Sequence, residues 1–128
     1  MNSEGNELII GKGWIVNADR KQRTFFNVCG GSKIEIGKDC LFSNLIEIHT
    51  TDYHKILKDG VLQNAAEPVV IGDHCWIGLQ SLILKGGVLK DNVVVGARSL
   101  VTKSFDESKI IIAGIHARIV KRGITWNR

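Results

Sequence analysis

One proline, one methionine, one tyrosine and a 6% share of aromatic residues are what this 128-residue sequence has little of. With so few rings, any core must be aliphatic. Fourteen glycines against one proline suit a chain of many turns without disorder. The three cysteines, Cys29, Cys40 and Cys75, form no C-x-x-C or metal-like spacing, which removes the usual zinc and dithiol motifs. Free cysteine packs as a small apolar residue, and Cys40 and Cys75 are expected in a core. No stretch of 18 consecutive apolar residues offers a membrane-spanning helix, and the first five residues, Met1-Asn2-Ser3-Glu4-Gly5, are polar. A soluble, cytoplasmic protein without membrane insertion is expected. The net charge of +4 is too small and too scattered for a nucleic-acid surface, though it suits a phosphorylated small molecule.

What is present is a period. Ile71, Ile77, Ile83, Leu89, Val95 and Val101 follow one another at intervals of six. Gly follows three of them, at Gly72, Gly78 and Gly96, and a residue no larger than Val stands four positions after each of the first five. A helix asks for apolar residues three and four apart, and a half-buried strand asks for them two apart. A strict six fits a chain that turns a corner every six residues, the mark of a solenoid. Strand alternation turns a second residue inward, two before each large one: Val69, Cys75, Ser81, Gly87, Val93 and Ser99. A large and a small inward residue per side fill a triangular coil of three sides and 18 residues. The glycines allow close approach of neighbouring coils. The whole chain, residues 1–128, is read as one domain of this kind.

The same phrase occurs earlier. Ile10 and Val16 hold the register, as do Ile36, Phe42 and Ile48. Residues 31–38 repeat residues 5–12 at a distance of 26, and the excess over 18 is assigned to the polar run 19–24. From Ile48 to Ile71 the register is broken by 23 residues. The insert, residues 50–67, is polar and glycine-containing and reads as a loop projecting from the solenoid. A long loop on a rigid scaffold commonly carries function. After Lys103 the register lapses. Residues 104–108 read as a turn, 110–114 as a strand, and 117–122 as a short helix or strand that closes the open end.

Four stretches together resemble a known family: Ile71-Gly72-Asp73-His74-Cys75-Trp76-Ile77-Gly78, Ile83-Leu84-Lys85-Gly86-Gly87-Val88, Val95-Gly96-Ala97-Arg98-Ser99-Leu100-Val101-Thr102-Lys103 and Ile112-Ala113-Gly114-Ile115-His116-Ala117-Arg118-Ile119-Val120-Lys121. They are similar to the hexapeptide-repeat acyltransferases. Within these, the sequence resembles the galactoside and maltose O-acetyltransferases, and still more the bacterial enzymes that O-acetylate capsule, lipopolysaccharide or sialic-acid sugars. Thr51-Asp52-Tyr53-His54 resembles their Ser/Thr-Asp-x-His segment. The resemblance covers residues 34–128 well and the N-terminal coils loosely. It implies an all-β fold, a left-handed parallel β-helix, and a homotrimer with active sites between subunits. It also implies acetyl-CoA as co-substrate, a sugar hydroxyl as acceptor and no metal. Beside that family the chain is short and lacks an N-terminal helical segment, so the acceptor pocket is expected to be open or built by a neighbouring subunit.

The residues in their own right leave His54 either a solvated loop histidine or a base, since a histidine titrating near 6.5 suits proton removal at neutral pH. The resemblance implies the base. Asp52, or failing it Glu47, is expected to orient its imidazole, although loop aspartates also cap turns. The resemblance further places an acyl-oxyanion donor at the backbone N–H of Leu79. It places the CoA groove at Gly78, Ala97, Thr102, Lys103, Arg118 and Lys121, whose cations suit phosphates. Asn44, His49 and Trp76 are expected at the acceptor cleft. Asn44 reads equally as a corner residue, and Trp76 as a surface ring. His74 is expected at the surface of a hexad turn. His116 stands where the family usually has proline, in Gly114-Ile115-His116-Ala117. Three other readings compete. A γ-carbonic-anhydrase-like zinc hydratase would use His49 and His54 but needs a third ligand, and no histidine precedes His49. A catalytically dead scaffold solenoid would not need His54. An N-acetyltransferase of an amino sugar, nucleotide sugar or antibiotic would share the fold and differ in the acceptor.

Overall fold

The computed structural model describes residues 5–16 and 23–128. All regular structure in the described residues is strand: β1 (Glu7–Ile10), β2 (Ile15–Val16), β3 (Thr24–Asn27), β4 (Lys33–Ile36), β5 (Leu41–Phe42), β6 (Ile46–His49), β7 (Leu57–Lys58), β8 (Val61–Leu62), β9 (Val69–Ile71), β10 (Trp76–Ile77), β11 (Leu82–Ile83), β12 (Val88–Leu89), β13 (Val93–Val95), β14 (Leu100–Val101), β15 (Ile110–Gly114) and β16 (Ala117–Arg122). All but β7 and β8, which pair with each other, stack into three sheets, one per side of a triangular coil. The first runs β1-β4-β9-β12, the second β2-β5-β10-β13-β15-β16, and the third β3-β6-β11-β14. Neighbours within a sheet are parallel except the last pair, β15 and β16.

The period of six is the side of this coil. Ile71 pairs with Leu89, Ile77 with Val95 and Ile83 with Val101, each 18 positions on. Both expected inward rows are buried from the second coil on, whereas in the first coil Ile10 is exposed and Val16 half-buried. Ile36, Phe42, Ile48, Ile71, Ile77, Ile83, Leu89, Val95 and Val101 form the large row, and Val69, Cys40, Cys75, Ser81, Val93 and Ser99 belong to the small one. At two of the three corners the backbone enters the left-handed region three residues after the large inward residue. Asp39, His74 and Asn92 do so between the first and second sheets, and Leu45, Gln80 and Arg98 between the second and third. Asp and Asn adopt that conformation readily. The bulkier residues are held there by the preceding coil: Gln80 N–H donates to Asn44 O at 2.8 Å, and Arg98 N–H to Leu79 O at 2.7 Å.

The first coil departs from the expected arrangement. Val16 pairs with Phe42, 26 positions on, but Phe26 pairs with Ile48, only 22 on. Half of the excess therefore lies after β3, in the turn through Gly30 and Gly31, and not in residues 19–24. Thr24 itself begins β3. Residues 19–22 of that run lie outside the described residues. At the other end, residues 104–108 begin a fifth coil: Phe105 is buried and its N–H donates to Val88 O at 2.9 Å. Residues 117–122 are strand, because β16 folds back antiparallel on β15 and buries Ala117 over the end of the core. The tail then crosses the outside of the second sheet. Trp126 packs with Leu41 and Val94 in a second small core.

Candidate functional site

The insert leaves the solenoid at the corner between the third and first sheets, just after β6. Its neck is tied to the coil beneath. Thr50 is fully buried; its N–H donates to Asn27 O at 3.1 Å, and its hydroxyl oxygen accepts from Cys29 N–H at 3.0 Å. Glu67 N–H returns to Thr50 O at 3.0 Å. Lys85, on the next coil, lies 3.6 Å from Asp52 Oδ2 and 3.5 Å from Glu67 Oε2, so one cation bridges the two ends of the loop. The outer part is the β7–β8 hairpin, turned through Asp59 and Gly60, both at positive φ as a tight two-residue turn requires.

Within the loop, Asn64 is the organiser. Its Oδ1 accepts from Ile56 N–H at 2.7 Å, and its Nδ2 donates to His54 O at 2.8 Å and to Asp52 Oδ2 at 3.0 Å. His54 N–H donates to Asp52 O at 2.9 Å. The backbone of His54 is thus fixed on both sides, while its imidazole is exposed and has no hydrogen-bond partner among the described residues. It lies at a cleft of roughly 190 Å³ together with Gly30, Thr51, Asp52, Tyr53 and Asn64. Asp52 makes no hydrogen bond to this ring; its Oδ2 is engaged by Asn64 and Lys85. Glu47 makes none either, because its Oε1 accepts from His49 Nε2 at 3.0 Å. His49 Nδ1 meets the Tyr53 hydroxyl, so both nitrogens of His49 are occupied. Partial loss of solvent, with Cys29 and Glu47 nearby, raises the Tyr53 hydroxyl above its ordinary value, which keeps it protonated at neutral pH. Among the described residues no cluster of three His, Cys, Asp or Glu side chains is placed to hold a metal ion.

The other expected residues gather elsewhere. Asn44, Gly78, Leu79 and Ala97 lie on the corner between the second and third sheets, one side of the triangle away from the loop. Gly78 is dictated by the coil above it, since a Cβ there would stand 2.6 Å from Val95 O. At the corner between the first and second sheets, the equivalent backbone donors are capped by carboxylates. Lys38 N–H reaches Asp73 Oδ1 at 2.8 Å, and Asp73 N–H reaches Asp91 Oδ1 at 2.7 Å. At the Gly78 corner, neither Leu79 N–H nor Ala97 N–H has an acceptor among the described residues. Two stacked, unpaired donors remain there. The Asn44 side-chain oxygen is buried without a donor.

Trp76 faces outward from the second sheet; its Nε1–H donates to Ser43 Oγ at 3.2 Å, and its ring lies 6.0 Å from that of Trp126. His74 is no free surface residue, for Trp126 stacks on it at 4.1 Å between centroids and donates to its carbonyl. Thr102 occupies the loop's corner two coils further on and pairs with His116 Nδ1 at 3.2 Å. Lys103 lies 5.3 Å over the Phe105 ring. Arg118 and Lys121 are exposed on β16, opposite Ala113 and Ile111. The chain therefore presents two groups of residues on the two edges of the third sheet: the His54 loop on one, the unpaired N–H donors of Leu79 and Ala97 on the other. Sequence reasoning missed Asn64, Lys85 and the tyrosine contact of His49, because none belongs to the six-fold register.

No family model matches the chain. The polysialic acid O-acetyltransferase of Neisseria meningitidis is 46% identical over 98 residues, covering 75% of this chain and 46% of that protein. The galactoside O-acetyltransferase of Escherichia coli K12 is 26% identical over 122 residues, covering 93% of this chain and 56% of that protein. Among solved structures, the polysialic acid O-acetyltransferase OatWY superimposes with a TM-score of 0.91 at 36% identity, over 98% of this chain and 58% of that one. The chain spans about half the length of the relatives it matches. The three parallel sheets and these likenesses define the class as a left-handed parallel β-helix. The chain belongs to the hexapeptide-repeat acyltransferase family.

Proposed function

We propose that this chain carries the catalytic solenoid of an acetyl-CoA-dependent O-acetyltransferase that modifies a sugar hydroxyl of a cell-surface polysaccharide or its precursor. The observation that carries the reading is His54: an unpartnered imidazole, on a backbone pinned by Asn64, at an open cleft of a rigid scaffold. Such a ring can take the proton of an acceptor hydroxyl as that oxygen bonds to an acyl carbon, and return the proton to the departing thiolate. Acetyl-CoA supplies the activated thioester. The residues present fit it: the unpaired N–H of Leu79 suits the acyl oxygen as negative charge develops there, and that of Ala97 suits an amide carbonyl. Arg118, Lys121 and Lys103 are exposed cations for phosphates at the same end of the coil.

The two half-sites lie on different edges of one subunit. A homotrimer, in which the loop edge of one copy faces the donor edge of the next, supports a complete site. Acceptor contacts then fall to Asn44 and Trp76 of the facing copy and to the His54 loop. The test is acetyl-CoA consumption against a panel of sugars, sialic acids and amino sugars, with the His54→Ala variant beside the wild type. The variant is expected to remain folded and to lose about a hundredfold or more in turnover, the usual worth of a positioned base. Turnover near the wild-type value would remove His54 from that role.

A further inference from the structure

We propose that Glu47, His49 and Tyr53 form a positioning chain that holds the His54 loop at its place on the coil. The proposal rests on the reading of His54 as the base.

The chain starts on a rigid element. Glu47 and His49 stand two apart on β6, so both side chains face outward on the same side of the third sheet. β6 is held between β3 and β11. The His49 side chain is 13% exposed and packs 5.7 Å from the Phe25 ring, so its orientation is set by packing as well as by hydrogen bonds. Glu47 Oε1 lies 3.0 Å from His49 Nε2. A carboxylate accepts only, so the network assigns the ring proton to Nε2 and leaves Nδ1 as an acceptor. Tyr53 O–H, protonated at neutral pH, donates to that nitrogen. The bond made by one ring nitrogen selects the tautomer, and so the role of the other, in this way.

Tyr53 is the residue that needs holding. Its φ is +70°, a region that a bulky side chain rarely adopts. Its N–H donates to Thr51 Oγ1 at 3.1 Å, which tightens the turn but does not anchor it to the solenoid. The hydroxyl contact is what joins this turn to β6. Because His54 follows directly, the strained residue sets where the His54 Cα stands. Its ring also walls the cleft that contains His54, and lines a second one with Glu47, His49 and Leu82 on its other side. His49 thus acts through Tyr53; it is a positioning residue, with both nitrogens committed, rather than a contact to the sugar.

Tyr53→Phe removes the hydroxyl alone and is unlike a truncation that could unfold the loop. Amide hydrogen exchange on the full chain should accelerate at least tenfold at residues 52–55 in this variant, while residues 46–49 of β6 stay unchanged. Turnover should fall about tenfold with the KM for acetyl-CoA unaltered. His49→Ala should show the same losses, and the double variant should fall no further, as two members of one chain require. Exchange at residues 52–55 equal to the wild type, or losses that multiply in the double variant, would overturn the proposal. If the wild type consumes no acetyl-CoA with any acceptor, the functional reading fails separately. The exchange measurement still decides whether Glu47, His49 and Tyr53 hold the loop.

Discussion

Residues 69–103 and residues 50–67 are built on opposite plans. In the first, every side of the coil buries one large and one small residue, and the strand pairing repeats every 18 positions. In the second, Ile56, Leu57, Val61 and Leu62 stand exposed, and order comes from a few polar ties to Asn64, Lys85 and Thr50. The regular region obtains stability from burial, which is cooperative along the stack. The insert obtains position from hydrogen bonds, and that leaves the His54 ring free. Functional loops characteristically combine such low burial with defined geometry.

The largest separation between the two regions should appear when the same residue type is truncated in each. Ile77→Ala, at a fully buried position, should cost about 2–5 kcal/mol. Ile56→Ala, at a side chain 58% exposed, should cost less than about 1 kcal/mol. Chemical denaturation of both variants measures the contrast, and equal losses would mean that the insert is covered as the core is. Two glycines sharpen the point for opposite reasons. Gly78→Ala should cost roughly 1–3 kcal/mol, because its methyl would meet backbone of the coil above. A methyl on Gly60 would meet nothing within 4 Å, and only the φ of +76° opposes it, so Gly60→Ala should cost about 1 kcal/mol from conformation alone. Thermal unfolding of the pair separates crowding from strain.

The smallest effect concerns the C-terminal closure. Arg122 bonds both oxygens of Glu107, at 2.9 and 3.2 Å, and this holds the Glu107 carboxyl below the ordinary carboxylate range. A depressed folded pKa stabilises above the ordinary range, and that contribution is lost as pH falls below it to the folded pKa. Glu107→Gln should therefore lower the melting temperature slightly near neutral pH, and the difference from the wild type should vanish in acid. The pair is exposed, so solvent screening keeps it small. A melting-temperature difference that persists in acid would assign the effect to something other than this charge.

Much of this was legible in the residues. The spacing of Ile71, Ile77 and Ile83 announces the coil, and the small partners Cys75 and Ser81 announce its second inward row. A period that fixes which residues are buried can be read directly, since burial of large aliphatics is what the pattern encodes. The Asp52-Tyr53-His54 segment was legible as a candidate site through its resemblance, and its place in a register break supported it. Less was legible about partners. Asp52 and Glu47 both stand near His54 in the chain, yet one is held by Asn64 and Lys85 and the other by His49. Sequence distance says little about where a carboxylate points once a loop folds back. The placement of the extra residues in the first coil is not legible for a related reason. The polar run of residues 19–24 is conspicuous, but pairing of Phe26 with Ile48 shows that the Gly30-Gly31 turn absorbs half of the excess.

By itself the sequence determined the repeating side of the coil, because a period of six with one large and one small inward residue has few other ways to bury itself. The tertiary structure decided which polar groups are spent and which are left available. At one corner Asp73 and Asp91 cap the backbone donors, while at the next Leu79 and Ala97 offer none and their N–H groups stay unpaired. In the loop, Asn64 and Lys85 draw off the Asp52 carboxylate and leave the His54 imidazole bare. Those outcomes depend on contacts between residues 12 to 35 positions apart, which only the stacking of coils and the folding back of the loop bring together.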